Sequence, residues 1–364
     1  MTASALTRPG ERERLSTKLL EIDWRLGLLL CAIAGLGCMM LYSIANSSWE
    51  PWADRQLGVF AACFVLMLAL SLVNLRAWFF MAYPLYAVGL LLLVAVLVVG
   101  HHALGAQRWL KLGPLQIQPS EIMKIGVVLA LARFYHGCSA KDARLSWKLL
   151  IPAALVGIPV LLVAKQPDLG TAVLIALTGG VVAAPVLVLF GLHGYQRDRI
   201  LTFLHPEKDP SGNGYHILQS KIALGSGGLL GKGYGLGSQS QLNFLPEKHT
   251  DFIFATFAEE FGFVGCFGLL LLYAAVIAIS LRIAFVSHSH FGRLSAAGVT
   301  ATFASYILIN ASMVMGLAPV VGVPMPLLSY GGTVMLTVMA GFGLVMAVRV
   351  HRYMEMPSGR GTLL

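Results

Sequence analysis

Apolar residues in this chain come in long runs of about 17 to 28 positions, separated by short polar turns. Nine such runs stand out, at about 26–45, 56–74, 78–100, 119–136, 149–164, 172–194, 253–281, 295–317 and 333–348. Most are long enough to cross a bilayer core of about 30 Å as a helix. The pattern predicts an all-α polytopic membrane protein forming one continuous membrane domain. A single long polar stretch, 195–251, interrupts it, and loops of that length are unusual unless functional.

Basic residues orient the spans, because Lys and Arg collect on the cytoplasmic side. Arg8, Arg12, Arg14, Lys18 and Arg25 place segment 1–25 inside, and Arg349, Arg352 and Arg360 place the tail 349–364 inside. Walking inward from the N-terminus, Arg133, Lys141, Arg144 and Lys148 fall inside, and "KQPDLGT" (165–171) falls outside. Walking back from the C-terminus, Arg282 and Arg293 fall inside, and 195–251 falls outside. The two walks meet across 172–194, where an even number of crossings is needed but only about one helix fits at 1.5 Å per residue. Either two short pieces hinged near Gly179–Ala184, with Pro185 opposing a straight helix, reconcile them, or one end has the opposite orientation; the hinged reading is the one expected here.

Composition agrees with this class: 57% of the 364 residues are hydrophobic and 12% charged, against about 25% charged in a soluble domain. The net charge of +9 follows from cytoplasmic loops and requires no nucleic acid. Five cysteines, odd in number and mostly inside apolar runs, read as packing residues. No stretch resembles a cleavable signal peptide.

Ionisable groups concentrate in a few places. "GSGGLLGKGYGLGSQSQ" (225–241) invites a phosphate-loop reading, but the pattern would need Gly at Ser226 and Ser or Thr at Gly233. Two readings remain for it: a flexible loop beside a binding surface, or backbone amides with Lys221 or Lys232 contacting an anionic headgroup. In "LPEKHTDFIFATFAEEFG" (245–262), Asp251 either caps the helix that follows or serves as a general base at the edge of low dielectric. "QPSEIMK" (118–124) sets Glu121 and Lys124 at i, i+3, close enough to pair inside an apolar helix. Arg108 and Trp109 of "AQRWLKLG", with Asp168, fall on the same external side. "APVVGVPMPLLSYGGT" (318–333) is too rich in Pro and Gly for a helix, so its backbone must be buried in protein or line a cavity. His193, His205, His216 and His249 lack metal-ligand spacing, and no cofactor is evident.

These motifs, in this order and spacing over nearly the whole chain, resemble the shape, elongation, division and sporulation family of membrane proteins. The resemblance implies about ten transmembrane helices in the bacterial inner membrane, with 195–251 as the long periplasmic loop. It implies a peptidoglycan glycosyltransferase that joins lipid II units during cell elongation, beside a class B penicillin-binding protein transpeptidase and the elongation machinery. The family's proposed catalytic aspartate falls on Asp251, and its Glu–Lys pair on Glu121 and Lys124. Lys248, Lys232, Arg108 and Lys124 are then candidates to stabilise the departing undecaprenyl pyrophosphate. Glu247, Glu259 and Glu260 would orient the basic groups or cap the helix. One departure is visible: the family has two full helices between "QPDLGT" and "YQR" (195–197), and this chain has room for about one. A lipid II flippase and a non-catalytic scaffold for the transpeptidase are the alternative readings.

Overall fold

The computed structural model describes residues 15–103, 106–112, 115–137, 150–166, 168–179, 213–242, 244–245 and 247–357. A short α1 (Leu15–Glu21) leads into α2 (Trp24–Ile44), α3 (Ala53–Ser71) and α4 (Leu75–Val99). Strands β1 (His101–Ala103), β2 (Ala106–Leu112) and β3 (Leu115–Ile117) form a small antiparallel sheet in the order β1-β2-β3. Then come α5 (Pro119–Gly137), α6 (Leu150–Lys165), α7 (Leu169–Gly179), α8 (Asn213–Ser226) and α9 (Ser238–Gln241). The chain finishes with α10 (Ile253–Val286), α11 (His290–Val314) and α12 (Gly332–Val350). Apolar segments become helices because a helix satisfies every backbone group within its own segment, which lipid demands.

Eight of the nine apolar runs have a helical counterpart among the described residues, and of the run 172–194 the described part, up to Gly179, is helical. Six of these helices are long and apolar enough to span a membrane by length and composition. α5 is a different case. Its early turns are buried almost all round, Glu121 and Lys124 included, so it is an inner helix of the bundle. Around it α4 and α11 pack closely, while α12 lies along α3.

Helix direction separates two ends. At one, the basic residues gather: Lys18 Nζ meets His351 Nε2 at 3.3 Å, Arg352 pairs with Glu21 at 3.9 Å, and Arg76 donates to the Glu355 carbonyl at 3.3 Å. At the other lie the sheet, the start of α5 and the described part of 195–251. Three bonds anchor that part there: Ser220 Oγ to the Val314 carbonyl (3.0 Å), Tyr234 OH to the Met39 carbonyl (2.7 Å) and Gln241 Nε2 to the Ser43 carbonyl (3.2 Å).

α7 has 11 residues, about 16 Å of rise, or half a bilayer core. Its last described turn lies beside the middle of α11, where the Thr178 and Thr302 hydroxyls are 3.0 Å apart. The described start of the run 172–194 is thus helical as far as Gly179, where the described residues pause. The expected hinge near Gly179–Ala184, with Pro185 and the 195–197 motif, lies outside the described residues. So do Arg8, Arg12, Arg14, the loop with Lys141, Arg144 and Lys148, and Arg360.

Candidate active site

The helix that begins at Ile253 is interrupted at Gly262, where φ is 64° and ψ −164°. A break at this depth strands backbone donors and acceptors, and each needs a partner. The glycine-rich stretch supplies them. Lys232 and Gly233 N–H donate to the Glu259 and Glu260 carbonyls at 3.0 and 3.1 Å. Phe263 and Val264 N–H donate to the Gly228 and Leu229 carbonyls at 2.9 and 3.1 Å. Contact is tight enough that a Cβ on Gly231, whose φ is +81°, would lie 2.1 Å from the Glu260 carbonyl oxygen. The stretch therefore works as a splint across the helix break, a third role beside the flexible loop and the anion cradle.

Fully buried Glu259 completes the splint. Its carboxylate accepts from Lys232 Nζ at 2.7 Å, Ser238 Oγ at 3.0 Å and the Gln239 N–H at 3.2 Å. Lys232, a candidate for an anionic headgroup, is thus bound to a protein carboxylate. Its neighbour Glu260 accepts from Ser43 Oγ at 2.5 Å and ties the splinted helix to α2. Lys221 is exposed at the same end, its side chain lying over Gly316.

Asp251 sits just before this helix, in a turn beginning at Glu247. The cap position of α10 is Phe252, which makes no side-chain capping bond. Asp251 itself is half-buried. Its Oδ2 lies against Gly322, where a Cβ would come within 3.3 Å. Lys248 donates to the Ser240 carbonyl at 2.5 Å, and burial lowers its pKa. His249 stacks on Trp52 with ring centroids 4.7 Å apart. Burial is the main cause lowering the His249 pKa; Lys248 adds to the effect and Glu247 opposes it. Glu247 is exposed and accepts from Thr250 Oγ1 at 2.9 Å.

A second polar cluster rises from α5. Lys124 Nζ pairs with Glu121 Oε1 at 2.7 Å, both side chains being at most 5% exposed. Tyr306 of α11 closes the group: its hydroxyl contacts Lys124 Nζ and lies 3.2 Å from Glu121 Oε2. Lys124 also sits 4.5 Å from the centre of the Tyr306 ring, within cation–π range. One turn nearer the polar end, Gln118 Nε2 donates to Asp168 Oδ2 at 3.3 Å, and Arg108 pairs with Asp168 at 3.8 Å. Asp168 Oδ1 accepts from the Thr171 N–H and so starts α7. Trp109 follows Arg108 on β2, partly exposed.

A small pocket between α5, α11 and α12 is lined by Lys124, Tyr306, Thr302, Thr337 and apolar side chains. The Glu121–Lys124 pair and Asp251 are joined through α11. Tyr306 serves the pair, and Asn310, about 6 Å further along the axis, donates to the Asp251 carbonyl at 2.8 Å. Sequence reasoning passed over both residues. The available signal was a Tyr and an Asn four apart, on one face of a mostly apolar span.

Comparison with known proteins gives a consistent picture. The FtsW, RodA and SpoVE family model, described as "Cell cycle protein", matches residues 23–184 and 175–354. Peptidoglycan glycosyltransferase MrdB of Escherichia coli K12 is 44% identical over 354 positions, covering 92% of this chain and 95% of its own. Stage V sporulation protein E of Bacillus subtilis is 33% identical, covering 93% and 100%. Among solved structures, the Rod shape determining protein RodA of Thermus thermophilus superposes with a TM-score of 0.70 at 34% identity, covering 92% and 98%. A chain from a peptidoglycan synthase complex that coordinates polymerization and crosslinking reaches 0.78 at 34%, covering 92% and 99%. Since 92% of 364 residues is about 335, the 354-position alignment leaves about 19 positions of MrdB without a counterpart here. The two family matches also meet within the apolar run 172–194, which is too short for two helices.

Proposed function

From the premise that this chain belongs to the FtsW, RodA and SpoVE family of cell cycle proteins, we propose that it polymerises lipid II into glycan strands on the periplasmic face of the inner membrane. The observation that carries this reading is a half-buried carboxylate, Asp251, at the polar end of a bundle 44% identical to a peptidoglycan glycosyltransferase. The basic end opposite it supports a cytoplasmic assignment for that end, and hence a periplasmic one for Asp251.

In this reaction the 4-hydroxyl of one GlcNAc attacks C1 of a lipid-linked MurNAc. A new C1–O bond forms, the C1–O bond to pyrophosphate breaks, and undecaprenyl pyrophosphate leaves with the bonding pair. A sugar hydroxyl is a weak nucleophile, and the carboxylate of Asp251 takes its proton. A positioned base contributes about 10²–10⁴-fold. Charge develops on the pyrophosphate, and cations near the site stabilise it. Lys248 and Lys221 suit that role best, because Lys232 and Arg108 each face a carboxylate, of Glu259 and Asp168, and Lys124 is buried against Glu121. Trp109, Asp168 and Glu247 border the same end, where they would shape the sugar-binding surface. A class B penicillin-binding protein is the partner that cross-links the product. A synthase complex among the structural neighbours supports that pairing.

Purified protein supplied with labelled lipid II in liposomes tests the proposal. Polymer is the expected product. Leaflet exchange of lipid II without polymer would make the chain a transporter, and neither outcome would leave it a scaffold for the transpeptidase.

A further inference from the structure

Three consecutive carbonyls at the base of the site are each held by a donor from across the bundle. Tyr330 N–H donates to the His249 carbonyl at 2.9 Å. Ser329 Oγ donates to the Thr250 carbonyl at 2.6 Å. Asn310 Nδ2 donates to the Asp251 carbonyl at 2.8 Å. The turn has its own closing bonds, from the Thr250 and Phe252 N–H groups to the Glu247 carbonyl, so it does not need the cross-bundle donors merely to close.

Asn310 does more than fill a gap. Its second Nδ2 hydrogen goes to the Val323 carbonyl at 2.7 Å. It therefore bridges two backbones: the one that carries the Asp251 carboxylate and the one that walls it. The wall is Gly322, adjacent to Val323, with φ +69°, where a Cβ would crowd Asp251 Oδ2 at 3.3 Å. The side chain of Asn310 is fully buried, and its Oδ1 has no partner among the described residues. An unsatisfied acceptor in a membrane-embedded helix is costly, and an apolar side chain of similar size would avoid that cost. A fold that keeps the amide keeps it for its two donors.

Resting on the reading of Asp251 as the base, we propose that Asn310 is a positioning residue for it, with Ser329 as the second member of the clamp. Asn310 fixes the distance between the carboxylate and the Gly322 wall, and so aims the carboxylate at the incoming hydroxyl. It touches neither substrate nor reacting atoms. Displacing a reacting group by about 1 Å costs on the order of 10²-fold in rate.

The test uses Asn310→Leu, close in size but without donors, and the milder Ser329→Ala, both in the full chain. Lipid II polymerisation is measured across pH with wild type in parallel. Per folded molecule, Asn310→Leu is expected to turn over about 10²-fold more slowly, with the acid limb of its pH–rate profile displaced. A merely structural loss lowers the folded fraction, which scales the profile without moving it. A second arm does not depend on activity. Asp251→Cys is alkylated with a membrane-impermeant reagent, with and without Asn310→Leu or Ser329→Ala. Release of the clamp should raise the alkylation rate about tenfold. Unchanged alkylation, or an unmoved profile with turnover within about twofold of wild type, overturns the positioning role while leaving the polymerase reading standing. If wild type makes no polymer, the polymerase reading falls, and the alkylation arm still decides whether Asn310 holds residue 251.

Discussion

A carboxylate and its amide occupy nearly the same volume, so Asp251→Asn isolates the proton-accepting role. Asn and Asp cap helices about equally well, and here the cap position is Phe252. Folding and partner binding should therefore survive the change. Polymerisation should fall at least about 10²-fold, read as glycan product from labelled lipid II. An Asn variant near the wild-type rate would exclude Asp251 as the base. The Glu121–Lys124 pair behaves differently, because both charges are buried and each relieves the other. Removing one partner leaves an uncompensated charge, at a cost of about 3–5 kcal/mol. Glu121→Gln and Lys124→Met should each lower thermal stability more than the double variant does. Additive losses in a double-mutant cycle would show instead that the two side chains are independent. Tyr306 belongs to the same unit through its hydroxyl, a connection invisible to any i, i+3 rule.

At the scale of elements, the split helix Ile253–Val286 explains why the preceding stretch is so rich in glycine. Backbone groups freed at Gly262 are met by backbone groups of 228–233, and two main chains can approach that closely only without side chains between them. Gly231→Ala should destabilise the protein by more than about 2 kcal/mol, combining a left-handed backbone penalty with a clash against the Glu260 carbonyl. Gly228→Ala, equally left-handed but facing open space, should cost only the backbone part. Denaturation midpoints of the two variants in detergent measure the difference, and equal losses would remove the splint from the explanation. Pro- and Gly-rich 318–333 follows the same logic. It is irregular because its backbone is read out by Asn310, Tyr273 and Gln56, whose side chains donate to the carbonyls of Val323, Pro326 and Ser329 at 2.7, 2.6 and 3.0 Å.

For the molecule as a whole, the sidedness of the polar end decides which compartment Asp251 faces. Basic residues at the opposite end argue for a periplasmic Asp251. Exposed Leu236 is a suitable reporter, whereas Ser240, in the same loop, is fully buried. Leu236→Cys should react with a membrane-impermeant thiol reagent on intact spheroplasts. Protection until the membrane is opened would mean that the shortened 172–194 run has reversed the loop.

Hydropathy and charge by themselves determined the membrane class, the nine apolar segments and the two-ended charge pattern. Each is a property of a residue and its neighbours within a few turns, so sequence order contains it. The Glu121–Lys124 bond was open to the same reasoning, being three residues apart on one helix. What pairs across the bundle was not. Asn310 and Asp251 are 59 residues apart, Tyr306 and Glu121 185, and Ser43 and Glu260 217. Nothing in one residue's local pattern encodes the depth and rotation at which another helix will pass it. Lys232 shows the consequence: from composition it was free to meet a phosphate, and only the return of the Gly262 break to its side gave it Glu259. Local chemistry specified which groups must be satisfied, and tertiary packing alone decided by whom.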